Sequence, residues 1–282
     1  MSKMQIDLGP VQETLLIPLL GRAVVSRNQP ALFEDKAAVK IVDELDYDFN
    51  KWKRSAALSG SVIRTKMYDQ EVARFLDLYP TGTIVEIGCG LNTRFERLDN
   101  GQANWVELDL PDSMALRKNY FSDQPRRQMI AASVLDTDWF DTVEKIGGPY
   151  CFISEAVIIY LENDKAKQAI TQIVSHFGSK DVSWFITDTM DEAMVNDQKN
   201  HDAMRHLSRD SWYRWHCVHP KELEDWGVGL KLERSQSFMD MNPDLYKIVP
   251  LKWRFFLKWL PGLIRKKVQA YRINTFSIHA SS

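Results

Sequence analysis

The sequence predicts an α/β fold built on a mostly parallel sheet of seven strands, and three observations carry that reading. Between residues 66 and 190, short β-rich runs alternate with amphipathic helical runs, the pattern of parallel strands joined by crossover helices. One of those runs leads straight into a glycine turn, "TIVEIGCGLNTRF" from Thr83 to Phe95, which lets the backbone turn sharply and a ligand come close. Beyond Gly227, "LKLERSQSF" and "YRINTFSIH" flank a helical stretch; they read as a hairpin-like pair that completes the sheet with an antiparallel edge.

The elements follow in order. "ETLLIPLLGRAVVS" has an apolar face broken by Pro18 and Gly21, and "ALFEDKAAVKIVDEL" repeats apolar residues near helical spacing. "KMYDQEVARFLDLYP" is an amphipathic helix stopped by Pro80. "TIVEIG" is the first strand, with a short helix expected to begin near Asn92. "ANWVELDLP" is the second, ended by Pro111 where "DSMALRKNYF" starts a helix. "RQMIAASVL" is the third, and "PYCFISEAVIIYL" the fourth, running out into a loop. The helix "DKAKQAITQIVSHF" and the fifth strand "VSWFITDTM" come next. From Asp191 to Gly227 polar, aromatic-rich helices replace the alternation. The expected layout is one domain: a helical N-terminal cap (1–65), a ligand-binding core (66–190), a helical cap insertion (191–227), and the final strands with their connecting helix (228–282).

Composition narrows the function. A net charge of −2 over 282 residues argues against a nucleic-acid binder, whose footprint is a basic excess. Cys89, Cys151 and Cys217 are odd in number and form no CxxC pair, so neither a disulfide framework nor a zinc cluster is indicated. The start, "MSKMQIDLGPVQ", lacks the basic and apolar regions of a signal peptide, and no apolar run approaches the roughly 20 residues of a membrane span. A cytoplasmic protein without an integral membrane segment is expected. "PLKWRFFLKWLPGLIRKK" mixes aromatic and basic residues and has two readings. It could rest on a membrane surface, or pack its aromatic face on the sheet while the bases reach outward; its break at Pro261 favours packing.

The ligand-binding crevice of such a sheet lies beyond the carboxyl ends of its strands. Gly88 and Gly90 stand there, but the third glycine of a dinucleotide fingerprint is replaced by Thr93. A plain structural turn is the alternative. Asp109 ends "WVELD" at about the spacing of a carboxylate that grips ribose hydroxyls, accepting two hydrogen bonds from the diol. It could instead cap the helix opening at Pro111. Among the cap histidines His201, His206, His216 and His219, no acidic or cysteine partner repeats at ligand spacing, so no metal is expected. One of them could act as a general base.

At this point a resemblance enters. "LLIPLLGRA", "DYDF", "EIGCGLNTRF", "WVELDLPD", "SVLDTDWFD" and "SEAVIIYL", in that order, resemble the leucine carboxyl methyltransferase family over roughly the first two-thirds of the chain. The likeness is nearest to its bacterial branch, which includes O-methyltransferases of polyketide biosynthesis. It implies a Rossmann-like fold and S-adenosylmethionine as cofactor. Position by position, it implies that Arg64 reaches the methionine carboxylate, and that Gly88 and Gly90 admit the methionine and ribose portions, with Glu86 ending the strand before them. Asp109 would hold the ribose and Leu110 lie near the adenine. Ser133 stands where many relatives have an aspartate facing the adenine amino group, with Val134 beside it. Glu155 would lie near the cofactor's amino group, and Tyr160 and Arg22 on the substrate side.

This chain has Asn92 where the family usually reads aspartate in G-L-D-T-R; the resemblance implies that the cap is kept and a local charge lost. Arg94 is expected in a structural salt bridge, with Asp99 and Asp109 as candidate partners. The implied activity is methylation of a carboxylate or hydroxyl oxygen on a small metabolite, polyketide-like or otherwise. Alternatives are methylation of a protein's terminal carboxylate, cofactor binding without catalysis, and a nicotinamide-dependent oxidoreductase. A carboxylate acceptor is already ionised and needs no base; because no unmistakable base stands in the sequence it fits better, while a cap histidine keeps the hydroxyl open.

Overall fold

The computed structural model describes residues 3–259 and 268–280. Its seven strands are β1 (Thr83–Ile87), β2 (Asn104–Asp109), β3 (Arg127–Ala131), β4 (Tyr150–Ser154), β5 (Ser183–Met190), β6 (Leu230–Ser237) and β7 (Tyr271–Ile278). They form one sheet in the order β3-β2-β1-β4-β5-β7-β6. The first five are parallel, whereas β7 runs antiparallel to both β5 and β6. The expected antiparallel edge is thus present, with the later strand of the pair inserted between β5 and β6. Every residue of β1 and β4 is buried, as central strands covered on both faces must be. The strand order reverses between β1 and β4, which puts the crevice at the ends of those two strands.

The helices are α1 (Leu16–Asn28), α2 (Lys36–Glu44), α3 (Ala57–Leu78), α4 (Arg94–Leu98), α5 (Pro111–Arg117), α6 (Asp138–Ile146), α7 (Asn163–Phe177), α8 (Glu192–Asn196), α9 (Pro243–Tyr246) and α10 (Leu251–Trp259). Two of the sequence's breaks are not breaks. α1 runs through Pro18 and Gly21. Pro18 sits in the first turn, where an amide hydrogen has no helical acceptor to lose. At Gly21 an added Cβ would lie 2.6 Å from the Leu58 carbonyl oxygen and from Ser61 Oγ, so the glycine permits the close crossing of α1 over α3. The boundary expected between residues 65 and 66 falls inside α3, whose small residues around Gly60 carry too little apolar signal to reveal its first two turns.

α1 and α2 share a separate apolar cluster with the segment after β5; Leu16, Leu19, Trp52, Ala203, Met204 and Leu207 belong to it. The Trp52 indole donates to the Ala203 carbonyl at 3.3 Å, and the Ala56 amide to Asp202 at 2.5 Å. Phe255 and Trp259 of α10 are exposed rather than packed on the sheet. α3 packs on β7, where its Glu71 receives the Thr275 hydroxyl at 2.8 Å. Pro261 and the rest of that basic stretch, to residue 267, lie outside the described residues.

Candidate active site

A cavity of about 330 Å³ opens along the carboxyl ends of β1, β2 and β4. Its floor is the glycine turn. Gly88 and Gly90 have φ of +65° and +47°, a region that side-chain-bearing residues avoid. A Cβ on Gly88 would come within 2.3 Å of Val157, and one on Gly90 within 3.3 Å of Leu15. The turn is pinned from below by Arg117, which donates to the carbonyls of Gly90 at 2.9 Å and Asn92 at 2.7 Å. Arg117 and Arg127 in turn clamp the buried Glu107 at 2.7–3.0 Å. This second layer was not foreseen, because it joins α5, β2 and β3 across sequence distances that no local pattern reports.

Asp109 faces the turn from the end of β2. Its Oδ2 accepts the Gly90 amide at 2.5 Å and its Oδ1 the Leu110 amide at 2.7 Å. The helix after it is capped by Leu110, so Asp109 is not the helix cap. A carboxylate offers about four acceptor positions; the Ser113 hydroxyl also reaches this one, and the capacity that remains faces the cavity. Burial raises its pKa, opposed by the Gly90 and Leu110 amides. Leu110, Ser133 and Val134 line the same end of the cavity. Ser133 anchors its own loop: its Oγ accepts the Leu135 amide at 3.1 Å, and its amide donates to Asp136 at 2.8 Å.

Beneath the opposite end lies a buried ion network. Arg94 has no exposed side-chain surface and donates to Asp69 at 3.0 Å, to Glu155 at 2.5 Å and to Glu86. The partners proposed from sequence are engaged elsewhere: Asp99 pairs with Arg126 at 2.6 Å, and Asp109 with backbone amides. Arg94, the first residue of α4, instead takes Asp69 of α3, Glu86 near the end of β1 and Glu155 just after β4. Both oxygens of Glu155 are occupied, Oε1 by Arg64 and the Thr65 hydroxyl at 2.9 Å each, and Oε2 by Arg94. Burial alone would raise its pKa, but Arg64 and Arg94 together pull it down to about 2.

Glu86 differs. Its Oε1 is shared by Arg94 and Asn92 Nδ2, while Oε2 is buried with no partner. Burial pushes its pKa up despite Arg94. Asn92 does not cap α4. The N-cap residue is Thr93, and Asn92 Oδ1 accepts the Thr93 amide at 2.8 Å and Arg97 at 3.3 Å. Its amide group donates to Glu86 at 2.8 Å, which an aspartate at this position could not do as a carboxylate.

The far wall joins the cap insertion to the segments after β4 and β6 and the start of β7. Tyr160, Met194, His201, Tyr213, Phe238 and Tyr271 line it; of these, sequence reading singled out Tyr160 and, among the cap histidines, His201. Tyr160 stands 5.2 Å from Tyr213, ring to ring. His201 Nδ1 accepts the Ala203 and Met204 amides at 3.3 and 3.2 Å, and burial lowers its pKa. The neutral ring therefore carries its proton on Nε2 and is a donor, not a base. Arg22 lines the cavity but is buried in a pair with Asp35 at 3.0 Å and donates to the Leu91 carbonyl at 2.6 Å. Among the described residues no group of three or more metal-ligating side chains is gathered, and no helix is long and apolar enough to cross a membrane.

A family model described as leucine carboxyl methyltransferase matches residues 16–174, which contain the glycine turn, Asp109 and the ion network. The chain is 27% identical over 252 residues to the tetracenomycin polyketide synthesis O-methyltransferase TcmP of Streptomyces glaucescens, covering 88% of this chain and 90% of that protein. It is 24% identical over 256 residues to the S-adenosyl-L-methionine-dependent methyltransferase dpfgK of Gibberella zeae, covering 85% and 86%. In fold it is similar to a Thermobifida fusca protein described as a methyltransferase, with a TM-score of 0.55 at 15% identity over 93% of this chain and 96% of that one. The chain belongs to the leucine carboxyl methyltransferase family, a family of S-adenosylmethionine-dependent O-methyltransferases.

Proposed function

We propose that the protein methylates a carboxylate or hydroxyl oxygen of a small, largely apolar metabolite, with residues 1–282 acting as one methyltransferase domain. The observation that carries this reading is the continuity of one cavity, which joins Asp109 and the unpartnered Glu86 oxygen to the apolar and aromatic side chains of the far wall. The residues present fit S-adenosylmethionine. Gly88 and Gly90 present bare backbone to the cavity while Val157 and Leu15 close in behind them, Asp109 keeps acceptor capacity for a ribose hydroxyl, and Leu110, Ser133 and Val134 would bound the adenine. A buried carboxylate oxygen without a partner is costly unless a cation meets it, so Glu86 would take the cofactor's ammonium group. Glu155, with both oxygens used, would hold Arg64 in place, and Arg64 would bind the methionine carboxylate.

When bound, the cofactor supplies an electrophilic methyl group on a sulfonium. The chain's task is then to position an acceptor oxygen and exclude water. Arg22 holds Leu91 and Asp35, and so the end of the glycine turn against the N-terminal cap. Tyr160 and Tyr213 form the wall on which a flat acceptor would rest. Small acceptors of this kind suit a cavity of about 330 Å³ better than a protein terminus does. The test is incubation with methyl-tritiated S-adenosylmethionine and a host extract. Label in the small-molecule fraction is expected; label confined to protein overturns the acceptor class, and no calorimetric binding of the cofactor overturns the activity.

A further inference from the structure

One polar pair, Tyr271 and Asp188, stands beside the cavity apart from the residues assigned to the cofactor. β7 pairs antiparallel with β5 so that Tyr271 stands opposite Met190, which brings the Tyr271 hydroxyl onto Asp188, 83 residues away in sequence, as a hydrogen-bond donor to Oδ2. Tyr271 lines the cavity; its ring stacks on Phe238 at 5.6 Å. Asp188 is fully buried, and its Oδ1 has no partner. In the sheet order, Asp109 on β2 and Tyr271 on β7 are four strands apart, about 19 Å at the usual strand spacing. With the ribose seated at β2, Tyr271 stands at the acceptor end.

We propose that Tyr271 and Asp188 form a proton relay that deprotonates a hydroxyl acceptor, so that the enzyme makes a methyl ether rather than a methyl ester. This rests on the methyltransferase function proposed above. The acceptor's O–H bond breaks as its oxygen bonds to the methyl carbon. The acceptor proton passes to Tyr271 Oη while the Tyr271 proton passes to Asp188 Oδ2. The carbon–sulfur pair stays on sulfur in the neutral thioether product, and Asp188 later returns the proton to solvent. Tyr271 is the catalytic residue and Asp188 acts through it.

Several charged and titratable groups face Asp188: Arg64 and Tyr68 from α3, Glu155 and Tyr160 after β4, Tyr271 from β7, and Tyr213 from the cap. Burial raises the carboxyl group, Arg64 and the Tyr271 hydrogen bond hold it back, and it settles at about 6. It is therefore ionised at neutral pH yet basic enough to take a proton. A purely structural role is also open to Asp188, because its Oδ2 accepts the amide of Ala156 at 3.0 Å, a residue held at φ +54°. The test separates the two.

Full-length enzyme is assayed with S-adenosylmethionine and two probe pairs: 2-naphthol and 1,8-dihydroxyanthraquinone against 2-naphthoic acid and anthraquinone-2-carboxylic acid. Ether formation is expected, with kcat falling about 100-fold in Tyr271→Phe and KM unchanged. The rate should fall below about pH 6 in the parent, and Asp188→Asn should lose that acidic limb. Without cofactor, ¹³C-aspartate NMR should show a carboxyl titrating near 6 whose midpoint rises in Tyr271→Phe. Should Asp188→Asn fail to fold, the Tyr271→Phe kinetics and the NMR decide. Transfer to the acids alone, full phenol activity in folded Tyr271→Phe, or an unmoved midpoint overturns the relay and leaves the methyltransferase standing. Transfer to neither probe class, with cofactor bound, overturns the relay alone; absent cofactor binding overturns the methyltransferase as well.

Discussion

Replacing Arg94 by Met removes one guanidinium from three buried carboxylates, and the structure says which of them suffers. Asp69 keeps Arg97 at 3.0 Å, and Glu155 keeps Arg64 at 2.9 Å. Glu86 keeps only the neutral Asn92 amide, with one oxygen already unpartnered. Removing one member of a buried ion pair costs about 3–5 kcal/mol, because the other charge is left in a poor solvent. The loss here should fall in that range at pH 8. Glu86 would respond by binding a proton. Its folded pKa is already raised by burial and rises further without Arg94, so the unfolded state releases its proton first and stability falls as pH rises through that window. The deficit should therefore be smaller at pH 5 than at pH 8. Urea unfolding of parent and Arg94→Met at both pH values measures it. A loss below about 1 kcal/mol at pH 8, the scale of an exposed pair, would refute the reasoning, as would a deficit that grows on acidification.

Three further outcomes follow from the same geometry. Gly88→Ala places a Cβ 2.3 Å from Val157 at φ +65°, and should lower stability by more than about 1 kcal/mol with loss of cofactor binding; an unchanged Tm contradicts this. Glu155, held at about 2 against 4.5 for the free group, contributes about 3 kcal/mol that is present above pH 4.5 and lost as pH falls through 2. Glu155→Gln should accordingly flatten the acid limb of the stability curve; an identical limb in both proteins would show that the shift does not exist. His201, neutral with Nδ1 accepting two amides, should show by NMR an Nε2 proton and no titration above its ordinary pKa; protonation near pH 7 would restore it as a candidate base.

The fold was legible because its signals are local. Each strand from β1 to β5 is a short apolar run bounded by turn residues, and the glycine turn marks the crevice without reference to the rest of the chain. The N-terminal helices were legible as helices but not in extent, since Pro18 and Gly21 act as breakers in isolation and are tolerated through a first turn and a close crossing. What escaped was long-range electrostatics. Arg94 reads as a cation in an apolar stretch, and only packing decides that Glu86, Asp69 and Glu155 meet it rather than Asp99. Asp188 and Tyr271 look like ordinary strand residues until the β5–β7 register sets them together. The cap was least legible: short helical turns with mixed composition have no strong period, and yet they supply Met194, His201 and Tyr213 to the cavity.

The central claim is that the crevice binds S-adenosylmethionine with its ribose diol on the ionised Asp109. Calorimetric titration of the parent and of Asp109→Asn tests it most directly, since the asparagine keeps the shape and an acceptor but not the charge. Charge-assisted hydrogen bonds contribute about 1.5–3 kcal/mol, so the variant should bind at least about tenfold more weakly. Equal affinity in a folded variant would contradict the account.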